Sequence, residues 1–87
     1  MEVNYTKKAL KDLSFWKKKG DLRIQKKITD LITSMEDTPY TGIGKPKPLK
    51  YELSDFWSRR INQEHRIVYK VYESEKIIEV HSLKGHY

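Results

Sequence analysis

The stretch FWSRRINQEHRIVYKVYESEKIIEVHSL, residues 56–83, decides the fold. It contains three runs, FWSRRI (56–61), HRIVYKVY (65–72) and KIIEVHSL (76–83), each of strand length and rich in β-branched and aromatic side chains. The polar joints between them, NQE (62–64) and ESEK (73–76), are hairpin-sized, so the runs are expected to form an antiparallel meander. Side chains alternate across a strand, so in the middle run His65, Ile67, Tyr69 and Val71 share one face. Arg66, Val68, Lys70 and Tyr72 share the other. The first set is the more apolar and belongs against a core. In the last run Ile78 and Val80 join that core, and Glu79 and His81 turn outward. The open face of the sheet is then cationic and carries a histidine. In FWSRRI the alternation allows either Arg59 or Arg60 to be the outward residue.

The apolar face needs a cover, and the chain upstream supplies it. MEVNY (1–5) alternates like a short strand. Thr6 is a fitting cap for a helix in which Ala9, Leu13 and Trp16 recur at helical spacing, and Gly20 ends it. Asp21 caps a second helix, where Ile24, Ile28, Leu31, Ile32 and Met35 make the clearest period in the chain. The turn between the helices is very short, which predicts an antiparallel helical hairpin. PYTGIGKPKPLK (39–50) holds all three prolines and reads as an exposed loop bearing Lys45, Lys47 and Lys50. The expected fold class is α+β: an N-terminal strand and a helical hairpin packed on one face of a twisted antiparallel sheet.

Composition narrows the function. The 87 residues suit one domain spanning 1–87. Lysine and arginine total 18 against 12 acids, a net charge of +6, which favours a polyanionic or acidic partner. The absence of cysteine excludes disulfides, thiol catalysis and cysteine-ligated zinc, and fits a reducing cytoplasm. No apolar run of membrane-spanning or signal-peptide length occurs, so membrane association is not expected. His65, His81 and His86 have no metal-ligand spacing, so neither metal nor cofactor is expected. GIGKP lacks the Ser/Thr that a phosphate loop places after its lysine, and no acyl-transfer triad is legible.

One constellation remains: cations on an open sheet face, a lysine-proline loop beside it, and a terminal His86-Tyr87. Metal-free RNA cleavage needs such parts. A base takes the 2′-OH proton, an acid protonates the leaving 5′ oxygen, and cations stabilise charge growing on the phosphate. Histidine suits proton transfer and arginine suits a phosphate. Taken singly, each residue also has a plainer reading: Arg66 and Lys70 as solvated charges, His65 as a hydrogen-bonded core residue, Trp16, Trp57 and Tyr69 as core. Composition and periodicity alone reach a small basic α+β domain with RNA among its candidate ligands.

TPYTGIGKPKPLKYELSDFWSRRINQEHRIVYKV (38–71) and the terminal HY go further. They resemble the YoeB/Txe toxins of the RelE superfamily, the toxin halves of bacterial type II toxin–antitoxin pairs, and the resemblance runs over essentially the whole chain. It implies a microbial-ribonuclease-like fold with the active site on the sheet face away from the helices. It implies a ribosome-dependent endoribonuclease that cuts mRNA in the A site through the 2′-OH, without metal, and so inhibits translation. It implies as partners the ribosome, mRNA and a cognate acidic antitoxin of the YefM/Axe kind, with operator DNA met only through the antitoxin complex, and a homodimer as found in family members. Carried over by position, Arg66 stabilises the phosphate, His86 donates the proton to the 5′ oxygen, and Tyr87 positions substrate or supports His86. Lys45, Lys50, Arg59, Arg60 and Lys70 are the expected RNA and phosphate contacts.

One position departs from the pattern. Where these toxins read Lys-Pro-Glu-Pro-Leu, this chain reads Lys-Pro-Lys-Pro-Leu, so the proposed general base is replaced by Lys47. A charged lysine cannot accept a proton. Either Lys47 has a depressed pKa and acts as base, or it binds phosphate and the proton goes to Glu64, Glu52 or water, or the toxin is attenuated. A rival reading is a non-catalytic module that blocks the ribosome by occupancy. A DNA-binding subunit is a more distant rival, since no helix rich in base-reading residues is present.

Overall fold

A computed structural model describes residues 1–85. The chain forms β1 (Glu2–Tyr5), α1 (Lys7–Lys19), α2 (Leu22–Asp37), β2 (Lys47–Pro48), a 3-10 turn (Tyr51–Leu53), β3 (Trp57–Arg60), β4 (Arg66–Tyr72) and β5 (Ile77–Ser82). The five strands make one sheet in the order β1-β5-β4-β3-β2. Strands β2 to β5 pair antiparallel, as the hairpin-sized joints predict. The sheet as a whole is mixed, which corrects the expected all-antiparallel sheet: β1 runs parallel to β5, Val3 opposite Ile78 and Tyr5 opposite Val80. A parallel pair needs a long connection. Here both helices and the meander lie between the two strands.

The helices start and stop where their caps stand. Thr6 accepts a hydrogen bond from the Ala9 N–H, Asp21 accepts one from the Ile24 N–H, and Gly20 ends α1 in the left-handed region at φ 72°. Both helices pack on one face of the sheet. Ala9, Trp16, Ile24, Ile28, Leu31 and Met35 meet Ile67, Tyr69, Ile78 and Val80 in a single core. Full burial of a side chain the size of Leu or Ile contributes about 2 kcal/mol, so the α2 stripe is a principal stabilising element. The middle and last strands alternate as their sequence predicts.

The segment after β5 is clamped to α1. The carboxylate of Asp12, buried inside α1, accepts hydrogen bonds from the Leu83 N–H at 3.0 Å and from Lys8 Nζ at 2.6 Å. Trp16 Nε1 donates to the Leu83 carbonyl at 2.9 Å. His65 is the hydrogen-bonded core residue of the plainer reading: its ring stands edge-on to Trp16, and its Nδ1 accepts from the Gly85 N–H at 3.0 Å. Gly85 in turn accepts from the Arg66 N–H at 3.1 Å. The described chain thus ends beside Arg66, and His86 and Tyr87 lie outside the described residues.

Candidate active site

The face of the sheet away from the helices gathers most of the expected cations. Residues opposite each other across a ladder share a face, and the register sets Arg60 opposite Arg66, Ser58 opposite Val68 and Lys47 opposite Ser58. Arg66 and Lys70 lie two turns of the pleat apart on β4, so Lys47, Arg60, Arg66 and Lys70 all look outward. Lys47 and Lys50 are exposed and line a groove of about 520 Å³ with Pro48, Leu49, Tyr51 and Leu53. Lys45 is exposed and lines a shallower groove with Arg60 and Lys27.

Two arginines placed directly opposite each other on one sheet face repel. Among the described residues neither the Arg60 nor the Arg66 guanidinium is paired with a carboxylate, and Arg60 Nε is buried with no hydrogen-bond partner. An anion between them would relieve the repulsion, and a phosphate suits the arginine fork.

Arg59 does not belong with them, which corrects its place among the RNA contacts. It is 0% exposed and points into the helix side of the sheet. Its Nε donates to Tyr69 Oη at 3.1 Å, Nη1 to Ser34 Oγ at 2.8 Å and the Ile43 carbonyl at 3.2 Å, and Nη2 to the carbonyls of Thr38 at 2.6 Å and Thr41 at 2.8 Å. All five guanidinium donors are used. Arg59 organises the 38–44 loop rather than facing solvent, and the outward arginine of the pair is Arg60. Tyr69, itself buried, has its phenol pushed above the usual range by desolvation, which the neighbouring Arg59 opposes. At Gly44, φ is +82° and a Cβ would come within 2.5 Å of Leu31 Cδ2, so the loop approaches α2 where a side chain has no room.

The alternative bases stand apart. Glu64 sits in the β3–β4 turn, its carboxylate 3.6 Å from His65 Nε2, in a groove floored by Phe15 and Trp16 on the α1 side. Glu52 lies exposed in the 3-10 turn with no hydrogen bond or ion pair among the described residues. Neither is brought to the Arg60–Arg66 face by a contact. Among the described residues no three His, Asp or Glu side chains gather as metal ligands, and no helix is long and apolar enough to cross a membrane.

The open face also carries residues to which the sequence assigned no role, although period two turned His81 and Glu79 outward. His81 and Glu79 project from β5, with His81 Nε2 and Glu79 Oε1 2.6 Å apart. Phe56 stands edge-on to His81 at 4.7 Å, and Lys70 Nζ lies 5.0 Å from the Tyr72 ring. Tyr51, 85% exposed at φ 58°, presents a bare ring beside the Lys47–Lys50 groove. Period two signals the outward turn of His81, but nothing local signals Tyr51.

Comparison with known proteins places this arrangement. A family model described as the YoeB-like toxin of bacterial type II toxin-antitoxin systems matches residues 5–87. The chain belongs to the YoeB family of toxins. The toxin YoeB of Escherichia coli K12 is 45% identical over 78 residues, which are 90% of this chain and 92% of that one. A YoeB/ParE toxin from Agrobacterium tumefaciens superposes with a TM-score of 0.93 at 42% identity, covering all of both chains. A YoeB of Staphylococcus aureus, solved in a heterotetrameric YoeB–YefM toxin–antitoxin complex, superposes with a TM-score of 0.86 at 36% identity, covering 100% of this chain and 98% of that one. As a YoeB-family protein, the chain is the toxin component of a type II toxin–antitoxin system.

Proposed function

We propose that this toxin is a ribosome-dependent endoribonuclease that cuts mRNA in the ribosomal A site and so stops translation in the cytoplasm. The ribose 2′-oxygen attacks the adjacent phosphorus, the bond to the 5′ oxygen breaks, and the products are a 2′,3′-cyclic phosphate and a 5′-hydroxyl. No metal ion enters the scheme. The observation that carries this reading is the outward Arg60–Arg66 pair, two facing cations with no carboxylate partner among the described residues. Their guanidinium groups hold the scissile phosphate and stabilise its developing charge. Lys45, Lys47, Lys50 and Lys70 extend the field along the strand entering and leaving the site. His86 donates the proton to the 5′ oxygen and Tyr87 positions it. Both roles come from the family pattern.

The same cationic face is the surface an acidic antitoxin would cover. A YefM-like antitoxin is the expected partner, by analogy with the Staphylococcus aureus YoeB–YefM complex, and operator DNA is met through that complex. A homodimer follows by analogy with the Staphylococcus aureus YoeB dimer. Lys47 favours one second reading, a toxin that occupies the A site without cutting. Primer extension on mRNA recovered from a cell-free translation reaction separates the two. New 5′ ends, lost in Arg66→Ala, support cleavage. Arrested translation with intact mRNA supports occupancy.

A further inference from the structure

Resting on the ribonuclease reading above, we propose that His81, held by Glu79, is the general base that takes the proton from the attacking 2′-OH. Among the outward residues of β2 to β5, Glu79 and His81 are the side chains able to accept a proton near neutrality. The others are Lys47, Ser58, Arg60, Arg66, Val68, Lys70, Tyr72 and Ile77. Lys47 as an ammonium has three donors and no acceptor. Glu64 is engaged at the opposite side of the β3–β4 turn.

The pairing geometry presents His81 to the site. The ladder between β4 and β5 steps from Tyr69–Val80 to Val68–Ser82, so His81 is the extra residue of a bulge. Bulges of this kind re-aim a side chain. Between two and three residues along β4 and one strand spacing separate His81 from Arg66, about 8–11 Å between Cα atoms from standard strand dimensions.

The dyad has the parts a base needs. His81 Nε2 faces Glu79 Oε1 at 2.6 Å, and the Tyr72 hydroxyl donates to the same oxygen at 3.2 Å. A carboxylate accepts only, so the ring proton sits on Nε2 and leaves the Nδ1 lone pair available. Nδ1 makes no hydrogen bond among the described residues, and the side chain is 32% exposed. Phe56 holds the ring edge-on, and Thr6 Oγ1 donates to the His81 carbonyl at 3.2 Å. In the reaction Nδ1 takes the 2′-OH proton as the P–O2′ bond forms, and Glu79 stabilises the imidazolium. The P–O5′ bond breaks and His86 supplies the proton to the 5′ oxygen. Glu79 touches no reacting atom and is a positioning residue. The charged or titratable groups on the same face of the adjoining strands are Glu79 on its own strand, Glu2 on β1, and Arg66, Lys70 and Tyr72 on β4.

The test is single-turnover cleavage of mRNA on ribosomes with a vacant A site, from about pH 5 to about pH 9 across the histidine range. Wild type, His81→Ala, Glu79→Gln and Lys47→Ala are compared, with folding checked by circular dichroism. His81→Ala is expected to lose at least about 100-fold in rate, to lose the acidic limb of the pH profile, and to regain cleavage with added imidazole. Glu79→Gln is expected to keep measurable cleavage with its acidic limb moved to lower pH. An unchanged rate in His81→Ala, a loss that imidazole does not rescue, or an acidic limb lost in Lys47→Ala instead, overturns the assignment while leaving the ribonuclease intact. No cleavage by wild type overturns the ribonuclease reading and this assignment with it.

Discussion

Arg59→Lys separates a structural arginine from a phosphate-binding one. The substitution keeps the charge and most of the stem. A contact made to RNA from the surface would tolerate it with no change in stability. Arg59 instead donates five hydrogen bonds inside the protein, to Tyr69, Ser34, Thr38, Thr41 and Ile43. An ammonium has three donors and none of the fork geometry. At least two acceptors lose their partner, and hydrogen bonds to charged groups contribute about 1.5–3 kcal/mol each. The expected destabilisation is about 3 kcal/mol after the loop relaxes toward water. For a domain of this size each kcal/mol moves the midpoint by about 4–8 °C, so the melting temperature should fall by roughly 12–24 °C. Thermal and urea denaturation followed by tryptophan fluorescence measure it. A loss below about 1 kcal/mol, the range of a surface charge pair, would refute the argument that Arg59 holds the 38–44 loop.

Asp12→Ala leaves the buried Leu83 N–H without its acceptor and is expected to cost about 2 kcal/mol. It should also lower cleavage beyond the loss of folded protein, because the chain leading to His86 is released from α1. Stability should decline at high pH: the Tyr40 phenol, which donates to Glu73, is pushed up from 10.0 to about 12. A raised folded-state pKa means the native state keeps a proton that the unfolded chain has lost, so this contribution is complete below pH 10 and is lost as pH rises towards about 12. Tyr40→Phe should flatten that decline, as read from urea midpoints against pH. Lys47→Glu should lower cleavage, since it removes a phosphate contact and adds an anion. A rise of more than tenfold, about 1.4 kcal/mol of barrier, would mean that the proton acceptor belongs on the loop and not at His81.

The elements whose periodicity faces the core were legible from the sequence. Ile24, Ile28, Leu31 and Met35 bury as one helical stripe, and Ile67, Tyr69, Ile78 and Val80 bury as alternating strand positions. What escaped the sequence depends on partners distant in the chain. Either arginine of Trp57-Ser58-Arg59-Arg60 fits period two, and the inward choice is made by carbonyls of a loop some twenty residues upstream. Asp12 lies on a lysine-rich helix and reads as solvated. Its acceptor role appears only when Leu83 arrives from the far end of the chain. The parallel pairing of β1 with β5 follows from where the helical hairpin returns the chain, which no local pattern records. The outward turn of Arg66 and Lys70 was readable because their neighbours Ile67, Tyr69 and Val71 left no alternative. Period two already set Glu79 and His81 on one outward face, but the bulge at His81 depends on the pairing with β4, which no local pattern records.

The most direct test compares one mRNA in three states: free in solution, on ribosomes with a vacant A site, and on ribosomes with that site filled by tRNA. Each is incubated with the purified toxin or with Arg66→Ala, and the new 5′ ends are mapped and their chemistry determined. The account predicts ends within the A-site codon on vacant ribosomes alone, carrying a 5′-hydroxyl and absent with Arg66→Ala. Intact mRNA on vacant ribosomes that have bound the toxin, or cleavage that Arg66→Ala performs equally well, would contradict it.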